Sequence, residues 1–122
     1  MRAVESLLAR GADVFITAQN LIEFWAVATR PLAVNGFGWG PQDAALQVEQ
    51  LLDLFQLLEE TPAVFPNWLS LVTSHAIIGK RVHDARLVAV MQAHGITNLL
   101  TFDTDDFKSY PGIILIHPTS LS

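Results

Sequence analysis

The chain has 122 residues, with 12 acidic and 7 basic side chains, a formal net charge of −5 and no cysteine. Its length suits one domain with a real core, and 51% apolar against 16% charged residues excludes a disordered chain. The missing cysteines exclude disulfides, zinc-thiolate sites and thiol catalysis, and the acidic balance means that any nucleic-acid contact needs a local basic patch or bound cations. No stretch approaches the roughly 20 apolar residues of a membrane helix, and Met1 to Ser6 is not a secretion signal, so no membrane association and a cytoplasmic setting are expected.

In chain order, Val4, Leu7 and Leu8 fall at helical spacing and Gly11 stops a helix over residues 1–10. Asp13 to Ile16 reads as a short strand, and Thr17 as the N-cap of a helix from Gln19 to about Thr29, ended by Arg30-Pro31. That helix is apolar nearly all round, with Glu23 its only charge, so Glu23 is expected inside the fold or at a cleft; the alternative is a Glu that snorkels out or pairs with Arg30. Leu32 to Gly40 is a glycine-punctuated loop whose Phe37 and Trp39 either tuck onto the core or meet a partner. Gly40-Pro41 opens a long helix to about Glu59 with a core stripe from Ala45 to Leu58, and Glu59-Glu60 reads as its solvated end.

Thr61 to Phe65 suits a short edge strand, because Pro62 cannot donate to a sheet interior. A helix over Asn67 to Ile78 follows, with Trp68, Leu71, Val72 and His75 on one side. His75 lacks the second His four residues away that a metal pair would use. Lys80-Arg81 reads either as a surface turn or as positive charge beside the residues that follow.

Leu87, Val88 and Met91 lie three, four and seven residues after Asp84, which puts that carboxylate on the apolar face of a helix, at its first turn. An Asp there neutralises, caps the helix or meets a cation, because an unpaired buried charge costs several kcal/mol as an order of magnitude. Gly95 stops the helix, Thr97 to Phe102 reads as a buried strand, and Asp103 stands at its end, where parallel sheets gather ligands. Asp84 and Asp103 can therefore converge, although Asp103, Asp105 and Asp106 also suit a solvated turn. Ser109 to Gly112 is a turn and Ile113 to Ile116 a last strand. Strands separated by helices indicate a parallel sheet with helices on both faces.

Thr17-Ala18-Gln19-Asn20-Leu21-Ile22-Glu23-Phe24, His83-Asp84-Ala85-Arg86-Leu87-Val88-Ala89 and Leu100-Thr101-Phe102-Asp103-Thr104-Asp105-Asp106-Phe107 together resemble the PIN domain, especially the VapC-type toxins. The resemblance covers nearly the whole chain. It implies a single domain with a three-layer α/β/α fold, and a ribonuclease that holds Mg²⁺ or Mn²⁺ on carboxylates at the carboxyl end of a parallel sheet. By position, it implies Glu23, Asp84 and Asp103 as catalytic metal ligands, Asp106 as a further acidic position, and Thr101 as the residue that orients the cluster. Lys80 and Arg81 would meet the substrate. RNA is the implied substrate, an antitoxin protein and a second copy the implied partners. The chain departs from the family in one respect: no residue before Asp13 matches the opening strand that carries the family's first metal-binding Asp, so that central strand is expected to be missing. A catalytically degenerate PIN-like module that binds RNA or protein without cleaving is the alternative.

Overall fold

The computed structural model describes residues 2–121. In chain order it runs α1 (Arg2–Ala9), β1 (Phe15–Thr17), α2 (Ala18–Thr29), α3 (Pro41–Leu54), β2 (Gln56–Leu58), α4 (Val64–Ser74), α5 (Arg81–Ala93), β3 (Asn98–Leu100), α6 (Thr104–Phe107) and β4 (Ile114–Ile116), with single 3₁₀ turns at Leu32–Val34 and Pro118–Leu121. It is a helix-rich α/β fold whose strands pair in parallel. The chain divides into two compact units, Phe15–Glu59 and a unit that joins Met1–Val14 to Glu60–Ser122.

In the Phe15–Glu59 unit, β1 and β2 pair in parallel with Phe15 opposite Gln56 and Thr17 opposite Leu58. Thr17 ends the strand and starts α2 through a capping box: the Asn20 backbone N–H donates to Thr17 Oγ1 (3.2 Å), and the Thr17 N–H donates to Asn20 Oδ1 (2.9 Å). The loop after α2 folds back onto the helix end. Phe37 and Trp39 donate their backbone N–H groups to the carbonyls of Val27 and Ala28, and Gly38 donates to Arg30. Phe37 and Trp39 pack on each other, and Trp39 meets Phe24 edge-on, so the two rings cover α2 while staying partly exposed.

Two sequence expectations fail in this unit. The long helix stops at Leu54 instead of Glu59, because residues 56–58 extend to pair with β1, which buries Phe55 and Leu58. Strand pairing here outweighs the local helical preference of a Leu- and Gln-rich segment. Nor is α2 a buried helix: only Gln19 and Ala28 are buried on it, and Ile22 is 67% exposed.

In the other unit α5 is the central element. Ala85, Val88 and Ala89 are fully buried, with Val90 and Met91 nearly so, and α4 packs along it. The Trp68 indole N–H of α4 donates to the Val82 carbonyl at 2.8 Å, which ties the two helices together near the start of α5. Gly95, at φ +67°, lets the chain turn out of α5 while the Ile96 N–H returns to the Met91 carbonyl. β3 and β4 then pair in parallel, with Asn98 opposite Ile114. The expected edge strand over residues 61–65 is instead a turn and the start of α4. Pro66 falls in the first helical turn, where its missing N–H leaves no bond unmade. β3 is also shorter and more exposed than the buried strand expected over residues 97–102.

Candidate active site

Asp84 stands in the first turn of α5 and is half-buried, as the spacing of its apolar neighbours predicts. Three residues before it, Arg81 opens the same helix and reaches across to α6, where its Nη2 donates to the Asp106 backbone carbonyl at 3.0 Å. That bond joins the start of α5 to the short helix that carries the second acidic group. α6 forms where a plain turn was the alternative: Asp103 occupies its N-cap position, and Asp105 and Asp106 lie in its first turn, where exposed N–H groups favour negative charge. Asp103 and Asp106 are both exposed.

Thr101 orients this corner directly. Its Oγ1 accepts the Asp103 backbone N–H at 3.0 Å, and its own N–H donates to the Ile116 carbonyl at 3.1 Å, which fixes the turn to the end of β4. Lys80 and Arg81 are exposed at the start of α5, and Asp84 follows in its first turn.

Tyr110 lies in the turn after α6. It is 3% exposed, its ring lies against His75 and Phe107, and its hydroxyl is buried with no hydrogen-bond partner among the described residues. Burial pushes the phenol above its ordinary value of 10.0; the Arg81 charge lowers it and the Asp84 charge raises it again. Both charges are thus close enough to Tyr110 to act on it. Sequence reading missed this residue, since Ser109 to Gly112 looked like a plain turn. The available signal was Tyr110 three residues after Phe107, the spacing that puts both rings on one side of a helical turn.

Glu23 belongs to the Phe15–Glu59 unit. It is exposed, not held inside, and its Oε1 accepts the Gln19 side-chain N–H at 3.1 Å, an i,i+4 contact along α2. The expectation of a buried Glu23 fails because α2 turns its apolar residues outward over much of its length. Glu60, read from sequence as a solvated terminus, is exposed, and it is also ion-paired with Arg86 of α5.

Among the described residues no three or more His, Asp or Glu side chains gather closely enough to hold a metal ion by themselves. The carboxylates of Asp84 and Asp103 are of the chemical type that holds a hard, largely hydrated cation, since Mg²⁺ keeps most of its waters and takes one or two protein carboxylates. The sequence model of the PIN domain matches residues 1–113. The chain belongs to the PIN domain family. Comparison with curated proteins gave no match. A PIN domain is a nuclease-type fold, and its members generally depend on divalent metal ions, bind RNA and often pair with antitoxins. No helix among the described residues is long and apolar enough to cross a membrane.

Proposed function

We propose that this PIN domain is an endoribonuclease of the VapC toxin type, which hydrolyses RNA phosphodiesters with Mg²⁺ or Mn²⁺ in the cytoplasm. One observation carries this reading: Asp84 in the first turn of α5 and Asp103 at the cap of α6 belong to two elements that the Arg81 to Asp106 bond joins. Asp84 and Asp103 would hold the cation, with Asp106 as a further ligand. The cation, when bound, activates water and neutralises the charge that develops on the phosphate. Thr101 keeps the Asp103 backbone in place, and Lys80 and Arg81 draw the RNA backbone towards an otherwise acidic protein. A cognate antitoxin and a second copy of the chain are the proposed protein partners.

A second reading is a PIN module that binds RNA without cleaving it. Incubation of the protein with single-stranded RNA, with and without Mg²⁺ or Mn²⁺, separates the two. Metal-dependent cleavage that falls by at least about 10²-fold in Asp84→Asn is the expected result. Cleavage that survives this substitution excludes the proposed mechanism, and RNA binding with no cleavage under either metal favours the module.

A further inference from the structure

We propose that the groove between α4 and α5 is a binding subsite for a guanine base of single-stranded RNA. The groove is open to solvent and offers about 390 Å³, within the range of small-molecule sites, and Glu60, Val64, Phe65, Trp68, His83 and Arg86 line it. Phe65 is 65% exposed, an unusual position for a ring that size, and it stacks on Trp68 with centroids 5.7 Å apart and planes 28° from parallel. The indole N–H of Trp68 donates to the Val82 carbonyl, which anchors that ring. The exposed ring of Phe65, backed by Trp68, is therefore a flat, apolar platform of the kind on which bases stack.

The polar rim decides which ligand suits the platform. Arg86 is ion-paired with Glu60 Oε1, so its charge is already answered and the groove offers little to a phosphate. An apolar peptide fits worse, because it would bury that ion pair and pay its desolvation. A base suits both parts: its face lies on Phe65, and its edge meets a carboxylate that Arg86 holds in one orientation. A carboxylate only accepts hydrogen bonds, and among the four RNA bases guanine alone presents two adjacent N–H donors, N1–H and the N2 amino group, on one edge.

The subsite is distinct from the acidic corner. His83 and Arg86 are three residues apart on α5 and share a face, whereas Asp84 is turned by about 100° from His83. RNA as the source of the base rests on the ribonuclease reading above, but occupancy of the groove does not, so binding is tested with mononucleotides in EDTA.

The indole N–H signals of the three tryptophans are resolved by NMR, with Trp68 assigned through Trp68→Phe, and titrated with guanosine and cytidine 5′-monophosphates. The Trp68 signal is expected to shift with the guanosine nucleotide at a midpoint about tenfold below that of the cytidine nucleotide. Phe65→Leu, at an exposed position, should weaken the guanosine response by about tenfold with the amide spectrum otherwise intact, and Glu60→Gln should abolish the preference for guanine. A Trp68 signal that neither nucleotide moves, an equal response to both, or a response unchanged in Phe65→Leu overturns the proposal. So do Trp68 shifts that follow protein concentration instead of nucleotide, which would make the groove a self-association surface. Guanosine binding in a protein that cleaves no RNA supports the subsite and removes the ribonuclease reading alone; RNA cleavage with an unresponsive Trp68 does the reverse.

Discussion

Tyr110 ties stability to the acidic corner at the level of a single atom. Its hydroxyl is buried without a hydrogen-bond partner among the described residues, and an unsatisfied buried polar group costs about 1–3 kcal/mol. Tyr110→Phe removes the oxygen and keeps the ring against His75 and Phe107, so urea unfolding near pH 7 should show equal or greater stability. The pH dependence follows from the same burial. Because the folded protein holds the phenol above 10.0, the unfolded chain loses its proton first as pH rises. The contribution of Tyr110 to stability is thus complete below pH 10.0 and lost as pH climbs through the raised folded value. Urea midpoints of the wild type and Tyr110→Phe should diverge above that pH and run parallel below it. A second residue-scale test concerns Gly36, where a Cβ would stand 1.9 Å from the Arg30 carbonyl oxygen. Gly36→Ala must displace the loop from the end of α2 and should destabilise by about 1–3 kcal/mol in the same assay.

At the scale of elements, helix ends explain both what the sequence revealed and what it concealed. The Thr17 cap, the Gly95 stop and the start of α3 at Pro41 were legible because each depends on two or three neighbouring residues. The end of α3 was not legible, since residues 56–58 leave the helix only to reach β1, some 40 residues earlier in the chain. The ion pair of the exposed Glu60 was hidden for the same reason: its partner, Arg86, lies 26 residues away. α4 shows the opposite case, an end without its usual residue. Ala76 takes φ +51°, and the Ile77 N–H closes back to the Val72 carbonyl as though a glycine stood there. Ala76→Gly relieves a left-handed conformation that costs an L-residue about 1–2 kcal/mol, offset in part by the greater freedom of glycine in the unfolded chain. The net effect should be a Tm raised by a few degrees, read by calorimetry.

For the molecule as a whole, its acidity constrains how it can meet RNA. Seven basic against 12 acidic residues leave few cations for phosphate contacts, and Arg86 is already paired. The acidic motifs were legible because Asp84, Thr101 and Asp103 lie in two short stretches with strong local grammar. Tyr110 and the Phe65 platform were not, because their roles arise from packing between α4, α5 and the turn after α6. If base stacking and divalent ions replace the usual basic surface, binding of a guanine-containing oligonucleotide in EDTA should depend only weakly on salt. Each phosphate neutralised by Lys or Arg adds about −0.7 to the slope of log K against log salt for a single strand. Fluorescence anisotropy over a salt series should therefore give a slope no steeper than about −1.4, the equivalent of Lys80 and Arg81 together. Addition of Mg²⁺ to the Asp84→Asn protein should tighten binding less than it does for a version that keeps Asp84 and carries a nuclease-resistant oligonucleotide, because the half-buried carboxylate proposed to hold the cation is then gone. A steep slope in EDTA would mean that a basic surface drives association, and the acidic corner would then have no part in RNA recruitment.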